Sequence, residues 1–143
     1  MPISQLSIFA ENKPGALGEI TKELASANID IRAMSIADTS DFGIFRLIVD
    51  NIDKAKKALS DAEFIVSETQ VIAAAVPDSP GALTNIMYLL SENGINIEYM
   101  YAFITVSKQH AYVVLRVQDN DTASKILIKN GVTLISNEDI KKL

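Results

Sequence analysis

Between Ala16 and about Ala27 the apolar residues Leu17, Ile20, Leu24 and Ala27 recur at spacings of three and four. That spacing gives one apolar face and predicts a helix, with Asn28 as its stop. Before it, Gln5 to Ala10 reads as a strand; after it, Ile29, Ile31 and Ala33 alternate with Asp30, Arg32 and Met34, as in a strand with one buried face. A polar turn, Asp38-Thr39-Ser40-Asp41, precedes a run of β-formers from Ile44 to Val49, which predicts a hairpin. Asn51 or Asp53 is placed to cap a second helix carrying Ala55, Ala58 and Leu59, and Phe64-Ile65-Val66 returns to strand. The first half therefore reads β-α-β-β-α-β.

The second half repeats that order. Pro80 less Pro14 gives an offset of 66, which also pairs Leu17 with Leu83, Ile20 with Ile86, Leu24 with Leu90, Ile29 with Ile95, Ile31 with Ile97 and Met34 with Met100. Beyond the hairpin the offset is 68, pairing Phe45 with Val113, Leu47 with Leu115, Val49 with Val117, Ala55 with Ala123 and Leu59 with Leu127, so the second hairpin is two residues longer. Apolar positions are kept where surface positions drift, the mark of a duplicated fold. The expected domains are 1–70 and 71–143. Right-handed crossovers turn each into a four-stranded antiparallel sheet with two helices on one face. The expected class is α+β, two tandem ferredoxin-like βαββαβ domains, each with a helix-free sheet face that must meet water or a neighbour.

Both halves open on the same turn: Glu11-Asn12-Lys13-Pro14-Gly15-Ala16-Leu17 and Pro77-Asp78-Ser79-Pro80-Gly81-Ala82-Leu83. Pro14 and Pro80 fix φ and push the preceding residue into an extended conformation, which ends the strand. Gly15 and Gly81 allow backbone angles closed to other residues and close approach of another group. A helix starting directly afterwards presents unpaired N–H groups and the positive end of its dipole. Such a turn can hold a carboxylate.

With 48% hydrophobic and 22% charged residues, the chain reads as a folded globular protein. A domain of about 70 residues has a modest core, so the halves are expected to bury surface against each other or against a second chain. The net charge of −5 argues against nucleic acid, and Lys54, Lys56 and Lys57 read as a solvated helix face. There is no cysteine, hence no disulfide, thiolate metal site or cysteine nucleophile. No apolar stretch approaches the length of a membrane span, and Met1-Pro2-Ile3-Ser4-Gln5 lacks the pattern of a signal peptide; a cytoplasmic protein without membrane contact is expected.

Catalytic constellations are thin. His110, the single histidine, stands just before a strand with no serine or carboxylate tied to it by motif, and reads as a surface residue at a hairpin end. Glu11, Asp38, Asp41 and Asp78 have no metal-ligand spacing. We expect no catalysis, no metal and no cofactor. Tyr99, Tyr101 and Phe103 stand at strand spacing where the first half has Ala33, Ser35 and Ala37, so they share one face, as sheet packing or as the lining of a ligand or interface.

The strand followed by Asn12-Lys13-Pro14-Gly15-Ala16-Leu17, the amphipathic helix, and Asn28-Ile29-Asp30-Ile31 or Gly94-Ile95-Asn96-Ile97 entering the next strand resembles the ACT domain, in both halves. The resemblance implies a small ligand-sensing module associated with enzymes of amino-acid metabolism, holding an amino acid where two such domains meet side by side. In serine-sensing members an Asn before the Pro-Gly and another at the start of the second strand contact the ligand; Asn12 and Asn96 match these positions, with Asp78 and Asp30 as their repeat partners. The histidine that those members carry two residues before the first Asn is replaced by Ala10 and Val76. The expected ligand residues are Asn12, Pro14, Gly15, Ala16, Leu17, Asp30, Asp78, Pro80, Gly81, Ala82, Leu83 and Asn96, with Asp30 or Asp78 accepting from the ammonium. The expected function is a sensor that regulates amino-acid metabolism through a partner enzyme or regulator, or by self-association as a homodimer. The alternative is a protein-interaction module of the same fold with no metabolite ligand.

Overall fold

The computed structural model describes residues 2–11, 13–38, 42–104 and 110–143. The turn expected at Asp38-Thr39-Ser40-Asp41 lies, apart from Asp38, outside the described residues, as do Asn12 and the tip of the second hairpin. By compactness the chain divides into Ser4–Thr69 and a unit of Gln70–Leu143 that also takes in the residues before Ser4.

In the unit Ser4–Thr69, strand β1 (Ile3–Glu11) leads to helix α1 (Ala16–Ser26), strands β2 (Ile31–Asp38) and β3 (Phe42–Val49), helix α2 (Ile52–Asp61) and the start of strand β4 (Ile65–Pro77). β3 lies between β1 and β2 and is antiparallel to both, with Ile8 opposite Phe45 and Met34 opposite Leu47. Leu6, Ile8, Phe45, Leu47 and Val49 point to one face, where they meet Ile20 and Leu24 of α1 and Ala55 and Leu59 of α2 in one core. Each fully buried Leu or Ile there contributes roughly 1.5–3 kcal/mol. Both helices thus cover the same sheet face, as the alternation of the strands requires.

The elements start and stop where their residues dictate. Asn51 caps α2, its side chain accepting from the Lys54 N–H at 3.1 Å. After α1 the chain takes a left-handed residue at Asn28, φ 57°, and the Ile29 N–H closes on the Leu24 carbonyl at 2.9 Å.

In the second unit β4 pairs with β6 (His110–Val117), which pairs with β5 (Ile97–Ala102), and β7 (Thr133–Leu134) adds to the other edge of β4; all are antiparallel. Helices α3 (Ala82–Glu92) and α4 (Asn120–Lys129) cover one face through Ile86, Leu90, Ala123 and Leu127 against Ile72, Val76, Leu115 and Val117. Each unit is an α+β βαββαβ-type arrangement with an antiparallel sheet, the ferredoxin-like fold.

Two features differ from the sequence reading. Ile65 and Val66 and the apolar run from Val71 belong to one strand of 13 residues, Ile65–Pro77, with Phe64 just before it, because Ile65 to Val76 contains no Gly or Pro to break it. The last strand of the second half is only two residues long and gives way to a short helix, α5 (Asn137–Lys141). Ser136 and Asp139 form a reciprocal capping box that nucleates it, and Ile140 is buried. Among the described residues no helix is long and apolar enough to cross a membrane.

Candidate functional site

The two Pro-Gly turns are built bond for bond alike. At the first, the Lys13 N–H donates to the Glu11 carbonyl (3.0 Å), Ala16 N–H to Lys13 (3.2 Å) and Glu19 N–H to Gly15 (3.0 Å). At the second, Ser79 donates to Pro77 (2.9 Å), Ala82 to Ser79 (3.2 Å) and Asn85 to Gly81 (3.2 Å). Gly15 and Gly81 cap α1 and α3 with φ of 90° and 87°, the left-handed region that favours glycine. A Cβ on either would meet nothing within 4 Å, so the turn needs glycine for its backbone angle and leaves open space beside it. Neither helix has a side-chain cap; the first N–H of each is taken by the turn, at Ala16 and Ala82, and the positive end of the helix dipole lies at the turn.

Each unit has a cavity of about 220 Å³ beside its turn. In the second unit it is lined by Ala75, Pro77, Ala82, Asn85, Ile86, His110 and Gly131 to Thr133. In the first it is lined by Phe9, Ala10, Glu11, Lys13, Ala16, Glu19, Glu63, Phe64 and Ile65. The two linings correspond through the repeat: Phe9 with Ala75, Glu11 with Pro77, Ala16 with Ala82 and Glu19 with Asn85 at 66, then Glu63 with Gly131, Phe64 with Val132 and Ile65 with Thr133 at 68. The chemistry has diverged. The first cavity carries three carboxylates, Glu11, Glu19 and Glu63, against Lys13, which pairs with Glu11 at 3.4 Å. The second carries no acid and is bordered by an amide and an imidazole. The like charges of the first cavity disfavour a carboxylate there, and the lining of the second adds no such repulsion.

Asn12, at the first turn, is not among the described residues. Pro14, Gly15, Asp78, Pro80, Gly81 and Leu83 are exposed on the turns; Ala16 and Ala82 line the cavities, and Leu17 packs on the core of its unit. Asp30 and Asn96 lie elsewhere. Each follows the far end of an 11-residue helix, about 16 Å from its start, so within one unit no single amino acid spans Gly15 and Asp30, or Gly81 and Asn96. The Asp30 carboxylate pairs with Arg32 at 2.6 Å, and its N–H donates to Asp50 Oδ1 at 3.0 Å. Asn96 borders a separate hollow of about 200 Å³ with Glu98, Gln118, Asp119 and Thr122. There the Thr122 hydroxyl and N–H hold the Asp119 carboxyl below its ordinary range.

Tyr99 and Tyr101 stack on the sheet face away from the core, ring centroids 6.4 Å apart, and Phe103 meets Tyr112 edge-on at 6.1 Å. The residues that sequence reading left out are Asn85, His110 and Gly131 to Thr133. The duplication held the signal for the first: the offset that pairs Pro14 with Pro80 also sets Glu19 against Asn85. His110 opens β6 opposite Pro77, which brings it to the turn. Among the described residues no cluster of three or more His, Asp or Glu is arranged to hold a metal.

A family model described as an ACT domain pair matches residues 1–143. The solved structure of protein BT0572 from Bacteroides thetaiotaomicron is 43% identical, with a TM-score of 0.92 over 100% of this chain and 98% of that one. The fold also matches the regulatory subunit of aspartate kinase from Thermus thermophilus in its ligand-free form, at 16% identity and a TM-score of 0.66 over 90% and 92% of the two chains. The corresponding subunit from Thermus flavus matches at 13% identity and 0.60 over 88% and 90%. No curated protein matches the chain.

Proposed function

This chain belongs to the ACT domain family as a pair of such domains, and on that premise we propose that it is a non-catalytic sensor of a free amino acid. It passes occupancy to a partner enzyme or regulator of amino-acid metabolism, and it works as a homodimer. The observation that carries the reading is the divergence of two equivalent cavities at two equivalent Pro-Gly turns. A ligand carboxylate sits at the positive, N-terminal end of α3, beside Gly81, Ala82 and Leu83, with Asn85 and His110 at its side. Asp78, at the same turn, takes the ammonium. The matching turn at Pro14, Gly15, Ala16 and Leu17 faces Glu11, Glu19 and Glu63, and takes a carboxylate weakly.

Asn12, Asp30 and Asn96 enter the proposal through the family resemblance alone. Calorimetry and thermal unfolding of the full chain against the common amino acids test the reading. A ligand that binds only the folded form stabilises it by about 2.7 kcal/mol at a hundredfold excess over its dissociation constant. One amino acid is expected to bind once per chain at the Gly81 turn, with its effect lost in Asn85→Glu. No response to any amino acid, with a response to another metabolite class or to none, would reject the sensor and leave the interaction module.

A further inference from the structure

A hollow larger than either Pro-Gly cavity lies in the second unit. It encloses about 400 Å³ between β4, β6 and β7 and the C-terminal helix, and is lined by Ala75, His110, Tyr112, Thr133, Leu134, Ile135, Asp139, Lys142 and Leu143. Ala75 and Tyr112 are cross-strand partners and form its floor, on the sheet face that α3 and α4 leave uncovered. β7 pairs with Ala74 and Ala75, the Ile135 N–H donates to the Ala73 carbonyl at 2.8 Å, and buried Ile140 anchors α5, so the wall and roof are fixed. The first unit has no helix at the positions corresponding to α5, where the chain continues as β4.

Its chemistry is two-sided. Ala75, the Tyr112 ring, Leu134 and Ile135 make an apolar bed, and Asp139 and Lys142, three residues apart, bring charged side chains of opposite sign to the lining. Asp139 Oδ2 accepts from the Ser136 N–H (3.0 Å) and hydroxyl (2.9 Å), which holds the carboxylate in place and in its charged form. Lys142 supplies a flexible ammonium to the same lining.

We propose that this hollow is a second ligand site, for a zwitterion with a large apolar body such as an amino acid with an aromatic side chain. The side chain lies on Tyr112, Leu134 and Ile135, the ligand's ammonium meets Asp139 and its carboxylate meets Lys142. Ala75, His110 and Thr133 border both this hollow and the cavity at the Gly81 turn, yet the assignment does not depend on that cavity binding anything.

The test is an amide-shift titration of the full chain with L-phenylalanine, repeated with 3-phenylpropionate and with phenethylamine, which lack the ammonium and the carboxylate respectively. Saturable shifts at Tyr112, Leu134, Ile135 and Lys142 are expected, with each analogue weaker by about tenfold or more, the equivalent of one charge-assisted contact. Lys142→Ala is expected to weaken L-phenylalanine by a similar factor and leave 3-phenylpropionate no better a ligand. Shifts confined to residues 77–86, no saturation, or equal binding of the three compounds would overturn the assignment. So would full affinity in Lys142→Ala.

Discussion

Glu19 and Asn85 hold the same place in the two repeats: each gives its backbone N–H to the left-handed glycine four residues back, and each lines its unit's cavity. One presents a carboxylate where the other presents an amide. This single exchange, with Glu11 and Glu63 beside the first, makes two geometrically equal turns unequal toward an acid.

Asn85→Glu is therefore expected to abolish the preference. A fixed like charge beside the ligand carboxylate should weaken amino-acid binding by about tenfold or more, since each ~1.4 kcal/mol is tenfold. Glu19→Asn should leave the affinity of the second-unit site unchanged. Calorimetry on the two variants checks it, and an unaltered Asn85→Glu would remove the carboxylate from this cavity.

Glu63 and Gly131 also occupy equivalent positions, with φ of 68° and 82°. A glutamate pays for that backbone conformation where a glycine does not, roughly 1–2 kcal/mol, offset by the ~0.5–1 kcal/mol that glycine loses in ordering. Glu63→Gly is expected to stabilise the protein by up to about 1 kcal/mol, read from urea unfolding, and it also removes one of the three acids of the first cavity. A loss of stability would show that Glu63 is held by contacts worth more than its strain.

Periodicity made most of the fold legible. The spacing of Leu17, Ile20 and Leu24 and the alternation around Ile29 mark surfaces that must be buried, and the structure buries Ile20, Leu24 and Ile29 in one core. The repeat then marked most of the elements twice. The run of β4 past Val66 and the replacement of most of the last strand by α5 depart from the periodicity because both rest on chain punctuation. Thr69 and Gln70 are too weak to end a strand, whereas the Ser136-to-Asp139 capping box is strong enough to start a helix and was present to be seen. The turns were legible because glycine's left-handed φ has few substitutes. The site was legible only in part: Asn85 and His110 reach the turn by helix phase and strand register, which motif reading does not follow.

Acid should weaken the fold through three carboxylates. The Ser4 hydroxyl and then Lys56 hold Glu68 below its ordinary 4.5; the Thr122 hydroxyl and N–H, and the Ser136 N–H and hydroxyl, hold Asp119 and Asp139 below 3.8. Each folded-state value is lower than the unfolded one, so the folded chain binds fewer protons. Their stabilisation is whole above those ordinary values and is lost as pH falls through the lowered ones. Urea unfolding across that range should show stability falling with acid, and Glu68→Gln should flatten its share of the slope. An equally steep fall in the variant would assign that share to other groups.

Gly15→Val and Gly81→Val separate folding from binding. Both glycines hold a left-handed φ near 90°, and neither leaves a Cβ in collision. The cost of valine is therefore conformational, about 1–2 kcal/mol or more at each because β-branching adds to it, and it should be alike in the two units. Ligand affinity should not be alike. At Gly81 the branched side chain adds bulk at the N-terminal end of α3, where the ligand carboxylate is proposed, so affinity should fall well beyond what destabilisation explains. At Gly15 the same change lies beside three carboxylates, a cavity that takes a carboxylate weakly to begin with. Thermal unfolding and calorimetry on both variants, at a temperature where each is fully folded, give the comparison: equal losses of affinity at Gly15 and Gly81, or none at either, would contradict a ligand held at the second turn.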